Sequence, residues 1–245
     1  MFVAASTRCF SDLPFAEACQ QLADLGFERL EIWFDETGRH LSLDQAASQP
    51  DAFAASYREL TRIPLVAFCL SYEPPLAKFE GLCKTSKFMR VTQVTIPAAP
   101  HGTPFNSEID RLKELVRVAS LQGVRLSLKT EKGRLTEDLH TAGELCQAVN
   151  GLGLTFDPSY SMRASDKTLD TVLPRTFHVH LRDSTPNDVQ VQVGLGEIDY
   201  SHLITHLKRY HYNRALSVEL LPELGSVDQR PLELRKLRML LDSLL

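Results

Sequence analysis

Eight times along this chain a short β-forming run gives way to a longer stretch with apolar residues at three- and four-residue intervals. The runs cover residues 2–6, 29–34, 64–71, 91–96, 124–129, 154–157, 176–182 and 215–220. Helices are expected near residues 14–25, 51–62, 76–88, 108–122, 136–149, 165–172, 200–210 and 232–244, with loops at 35–49 and 97–104. Strand–helix–strand units are right-handed and build parallel sheet. Eight of them in 245 residues match a closed (β/α)8 TIM barrel in count and length. An open doubly wound sheet would announce a GxGxxG turn after its first strand, where Ser6-Thr7-Arg8-Cys9 stands instead. No linker, repeat or low-complexity tract divides the chain, so residues 1–245 read as one domain.

Composition excludes several classes. Lys and Arg total 27 against 31 Asp and Glu, a net charge of −4, which argues against a nucleic-acid footprint. Five scattered cysteines without a CxxC pair argue for free buried thiols in a reducing compartment rather than disulfides or structural zinc. No run of about 18 apolar residues is present, so no membrane span is expected. Met1–Ser6 has no basic segment leading into an apolar one, so a cytoplasmic protein is expected.

Barrels of this kind carry their chemistry at the C-terminal ends of the strands. Polar residues expected there are Glu31, Ser71, Lys129, Asp157, His178, His180 and Glu219. Side chains alternate along a strand, so His178 and His180 share a face, as do Ser217 and Glu219. Ionisable groups at these levels need partners or a task. Asp157, His180 and Glu219 form a candidate cradle for Mn²⁺, Mg²⁺, Zn²⁺ or Co²⁺, whose ion would acidify a C–H beside a carbonyl. A salt-bridge cluster closing the barrel mouth is the structural alternative.

Ser6-Thr7, Phe10-Ser11-Asp12-Leu13-Pro14, Leu25-Gly26-Phe27 and Leu30-Glu31 look like the first βαβ unit of a known family. Leu154-Thr155-Phe156-Asp157-Pro158, His178-Val179-His180-Leu181-Arg182-Asp183, residues 193–200 and Leu216-Ser217-Val218-Glu219 are similar to its later motifs, in order. The chain resembles the xylose isomerase-like TIM barrels, the sugar phosphate isomerases and epimerases. That resemblance implies proton transfer next to a carbonyl, a carbohydrate-like substrate, and a barrel that often pairs as a homodimer. It also implies a metal held by Glu, Asp, His and Glu from strands five to eight.

Asp157, His180 and Glu219 match three of those ligands. The strand-five glutamate does not: Leu126-Ser127-Leu128-Lys129 stands where the family reads Leu-x-Leu-Glu, and Tyr160 replaces the strand-six histidine. Replacing a carboxylate by an ammonium adds two charges, as many as the ion supplies. Lys129 is therefore expected to sit between Asp157 and Glu219 in the metal's electrostatic place. Glu131, two residues on, is the one candidate for supplying the missing carboxylate.

Lys129 and Glu219 are the candidate catalytic pair. Glu31, Trp33, Ser71, Tyr160, His178 and Arg182 are candidate substrate contacts, with Arg182 an anion contact or a partner of Asp183 or Glu197. Gly194 and Gly196 are candidates for presenting N–H groups to an oxyanion. The functional readings are an isomerase or epimerase with an altered site, a non-catalytic sugar or partner binder, and, ranked lower, a lysine-dependent lyase.

Overall fold

In the computed structural model, which describes residues 1–245, the strands are β1 (Phe2–Ser6), β2 (Leu30–Phe34), β3 (Leu65–Leu70), β4 (Gln93–Pro97), β5 (Arg125–Lys129), β6 (Leu152–Phe156), β7 (Thr176–Leu181) and β8 (Ala215–Val218). Each pairs in parallel with its neighbour, and β8 closes on β1. The helices are α1 (Phe15–Asp24), α2 (Leu43–Ser48), α3 (Pro50–Leu60), α4 (Leu76–Phe88), α5 (Phe105–Leu121), α6 (Leu139–Ala148), α7 (Asp166–Val172), α8 (Tyr200–Arg209) and α9 (Arg230–Leu244). The eightfold alternation is thus a single closed barrel. No helix is long and apolar enough to cross a membrane.

Two differences from the sequence reading have local causes. Helix α2 lies inside the expected polar loop and buries Leu43 and Ala46; its six residues are too few for a helical period to be recognised. Helix α5 begins at Phe105, three residues early, because Pro104 holds φ at −57° and its carbonyl accepts from Glu108 N–H. The five cysteines are free and buried, as expected.

The strands alternate in an unusual sense for a barrel. Leu30, Ile32, Val94, Ile96, Leu126, Leu128, Leu154, Val179 and Leu216 are buried in the apolar core with the helices' inner faces. The residues between them are polar, and their bonds cross the barrel. Thr95 on β4 and Thr155 on β6, separated by β5, have hydroxyls 2.7 Å apart. Ser127 lies 2.6 Å from Thr155 and accepts from Gln93 at 2.5 Å. A hydroxyl layer therefore occupies the lumen along β4, β5 and β6; His178 lies level with it, in register with Thr155, and Lys129, Asp157, His180 and Glu219 lie nearer the strand ends.

The loop after β7 is organised by a buried carboxylate. Asp183 Oδ2 accepts from Gly194 N–H (2.7 Å) and Gly196 N–H (3.1 Å), and Oδ1 accepts from Ser184 N–H (3.1 Å). The two glycine N–H groups thus serve the chain's own Asp183, not a ligand oxyanion. A Cβ on Gly196 would fall 2.0 Å from Asp183 Oδ1 and 2.8 Å from Ser184 N. Gly196→Ala should therefore lower stability by about 3 kcal/mol, read as a lower urea midpoint with an unchanged m-value.

Candidate functional site

The strand ends converge on Glu219, which follows β8 and is fully buried. Its Oε2 accepts from Arg182 Nη2 (2.7 Å) and from Lys129 Nζ, and lies 3.3 Å from His180 Nδ1. Arg8 Nη1 approaches its other oxygen to 3.6 Å. One carboxylate thus faces four cationic side chains. Burial alone would raise its pKa, but His180, Lys129 and Arg8 outweigh that and hold it well below the usual carboxylate range.

Arg182 corrects the sequence reading. Its guanidinium pairs neither with Asp183 nor with Glu197 but spans β6 and β8. Nη2 also lies 2.8 Å from Asp157 Oδ2, Nη1 donates to Ser159 Oγ (2.6 Å), and Nε donates to the Glu219 carbonyl (2.9 Å). Burial opposes its charge, yet Asp157 and Glu219 raise its pKa further. Lys129 was expected between those two carboxylates; it pairs with Glu219 alone, and Arg182 takes the place between them. Lys129 is likewise opposed by burial and kept charged by Glu219. Its raised pKa disfavours the free amine a Schiff base needs.

A second centre is Glu31 on β2, across the barrel from β7. His178 Nε2 and His180 Nε2 lie 2.5 and 2.9 Å from Glu31 Oε2. Burial would raise the Glu31 pKa, but His180 and His178 pull it far down. The two imidazoles then diverge. Burial lowers the pKa of His178, whereas His180, between Glu31 and Glu219, is raised to about 9 despite burial. His180 is therefore protonated at neutral pH and links the two carboxylates.

The other predicted contacts are more peripheral. Trp33 is half-buried, with the Arg8 guanidinium 5.3 Å over its ring, so it walls the mouth. Tyr160 is half-buried against Arg182, 5.5 Å from ring centroid to guanidinium, and burial pushes its phenol pKa up. Ser71 is exposed beyond β3 and does not join the cluster. Glu131 pairs with Arg134 at 3.6 Å and supplies no carboxylate to the centre. Arg8 was missed: it comes from the 3-10 turn Thr7–Phe10 after β1, where no strand pattern points inward.

The residues present do not fit the family's metal ion. Between Asp157 and Glu219 sits a guanidinium, and Glu219 also holds an ammonium. The donor atoms that do converge here belong to Glu31, Cys69, His180 and Glu219. Their two carboxylates are already bound to cations, and burial, with Glu31 adding to it, holds the Cys69 thiol pKa well up, against the thiolate a metal needs. The four cationic side chains balance Glu31, Asp157, Glu219 and Glu223, which Arg8 meets at 3.2 Å, so no net negative charge is left to draw a metal ion.

Fold and site together define a (β/α)8 barrel with its charged cluster at the C-terminal strand ends. The sequence pattern of the family described as Xylose isomerase-like TIM barrel matches residues 19–240, and the chain belongs to that family. Solved structures agree on the fold. A xylose isomerase domain protein from Planctomyces limnophilus superposes with a TM-score of 0.76 at 16% identity, covering 100% of this chain and 96% of that one. A 3-keto-D-glucoside 4-epimerase from E. coli gives 0.74 at 16%, covering 98% and 99%. A probable 3-DHS dehydratase from Bacillus anthracis gives 0.75 at 16%, covering 97% and 98%. At such identities the likeness concerns the fold alone. No curated protein gives a significant sequence match.

The charges of the centre set a pH dependence. His180, raised in the folded state, contributes stability that is fully present below about pH 6.5 and lost as the pH rises through about 9. Glu31 and Glu219, held low, contribute stability present above about pH 4.5 and lost on acidification. His178, held low by burial, adds stability present above about pH 6.5. Urea unfolding free energy should therefore fall between about pH 6.5 and 8, ahead of the ordinary thiol midpoint near about 8.5. His180→Gln should lower stability overall and flatten that decline.

Proposed function

We propose that this chain interconverts a carbonyl sugar and its isomer by proton transfer, with Lys129 and Arg182 supplying the positive charge that family members take from a divalent ion. The observation that carries this reading is the Arg182 guanidinium bridging Asp157 and Glu219 with Lys129 on the same Glu219 oxygen. Two acceptors, Glu31 Oε1 and Glu219 Oε1, are buried without a hydrogen-bond donor. Sugar hydroxyls are donors of the right kind, since a buried acceptor left unpaired costs about 1–3 kcal/mol.

In this mechanism the substrate carbonyl oxygen accepts from Lys129, and Trp33 packs against a sugar carbon face. Losing part of the ammonium's attention raises the basicity of Glu219. Glu219 then takes the proton from the carbon beside the carbonyl, and the electron pair moves into an enediolate whose oxygen Lys129 stabilises. Glu219 returns the proton to the neighbouring carbon from the same side, while the hydroxyl proton passes to the former carbonyl oxygen. A single carboxylate suffices for this 1,2-shift. Epimerisation would need a second proton donor on the opposite face, and the strand-five position that would bear it is Lys129. The protein is thus read as an aldose–ketose isomerase, working on a small carbohydrate in the cytoplasm.

A second reading is favoured by one feature: Lys129, Asp157, His180, Arg182 and Glu219 are all at most 4% exposed, with the charges mutually compensated. That is also how an ionic plug in a non-catalytic, ligand-binding barrel would look. Incubating the protein with a panel of ketoses and aldoses in D₂O separates the two. The isomerase reading expects product with deuterium at a single carbon. Glu219→Gln and Lys129→Met should each lower turnover by at least about 100-fold, consistent with loss of a general base or an electrophile. Saturable sugar binding without exchange in the wild-type protein would favour the binding reading.

A further inference from the structure

Away from the barrel centre, Asp166, His202 and His206 bring together three ligand-type side chains that the chemistry above leaves unused. Asp166 opens α7, while His202 and His206 lie one turn apart on α8. One donor atom from each lies within 4.8 Å of the others. His202 Nε2 is 3.0 Å from Asp166 Oδ1, and the two imidazole rings are 4.2 Å apart between centroids, tilted by 38°. The His202 backbone is fixed in turn, its N–H donating to Asp199 Oδ1 (2.8 Å).

The third residue gives the independent sign. His206 Nδ1 is buried and has no hydrogen-bond partner. A ring nitrogen shut off from water in this way is costly, and a coordinate bond or a reoriented ring would relieve it. Asp166 and His202 also line a depression of about 180 Å³, together with Phe156, Met162, Leu169, Glu197 and Asp199. The N-termini of α7 and α8 both lie here, and their dipoles oppose a cation. Three carboxylates, those of Asp166, Glu197 and Asp199, oppose that effect.

We propose that Asp166, His202 and His206 bind a first-row divalent cation, Zn²⁺ by preference, on the outer rim of the barrel between α7 and α8. Two imidazoles and one carboxylate suit Zn²⁺ or Co²⁺ rather than Mg²⁺ or Ca²⁺, and three protein ligands leave a fourth position for water. The ion ties the start of α7 to α8. The segment leading into α7 carries Asp157, Ser159 and Tyr160, so the clamp steadies the loop that holds Arg182 in place. Without an ion, Asp166 and His202 make an exposed hydrogen-bonded contact of little energetic weight.

The test is Co²⁺ titration of chelator-stripped, full-length protein, followed by visible d–d absorption, with Zn²⁺ as competitor. One Co²⁺ per chain is expected, displaced by one Zn²⁺. His206→Ala and Asp166→Asn should each weaken binding by at least about tenfold, as loss of one of three ligands does. Asp166 is exposed and His206 half-buried, and circular dichroism of the metal-free variants checks that they fold. Glu219→Gln should leave the titration unchanged. Absence of saturable binding, equal affinity in His206→Ala and wild type, or loss of the signal in Glu219→Gln would each overturn the assignment.

Discussion

A single buried carboxylate facing four cationic groups is the constraint on which the rest of this barrel's mouth depends. Glu219 cannot be desolvated alone, and Arg182, Lys129, His180 and Arg8 meet it from β7, β5 and the turn after β1. Removing one partner from such a buried group generally costs about 3–5 kcal/mol, because the charge left behind is uncompensated. The cluster therefore fixes the relative positions of four chain segments far apart in sequence. His180 carries the network on to Glu31 and hence to β2 on the far side of the barrel.

The lumen beneath explains why such a cluster can exist at all. Barrel interiors are ordinarily filled by branched apolar residues. Here Gln93, Thr95, Ser127 and Thr155 form a hydrogen-bonded layer. The apolar half of each strand packs outward against the helices. Polar neighbours and fixed dipoles lower the cost of holding charge above them. The same arrangement makes the exchange of a metal for protein cations chemically coherent, since one guanidinium meets Asp157 and the Glu219 carboxylate through Nη2, Ser159 through Nη1 and the Glu219 carbonyl through Nε.

Much of this was legible in the sequence. Period and length give eight strands and their helices, because buried strands and amphipathic helices leave distinct spacings. Rule-abiding punctuation, such as Gly26 after α1 and Gly123 after α5, both at positive φ, helps place the ends. Strand alternation turns Glu31, Lys129, Asp157, His180 and Glu219 into the mouth of the barrel; His178, expected at the same end, lies one pleat deeper, in register with Thr155. Partner choice was less legible. Asp183 adjoins Arg182 in the chain, yet it is consumed by the backbone N–H groups of its own loop. The guanidinium instead crosses to β6 and β8, a pairing set by barrel closure rather than by sequence distance. Arg8 escaped for a related reason: it sits on a 3-10 turn, where no alternation says which way a side chain points.

The most direct test of cation-for-metal replacement is a crystal structure of the protein grown with Mn²⁺ in excess, with anomalous scattering used to locate the ion. The expected result is guanidinium density between Asp157 and Glu219, Lys129 on Glu219, and no anomalous peak at the centre. An anomalous peak coordinated by Asp157, His180 and Glu219, with Arg182 turned away, would contradict it.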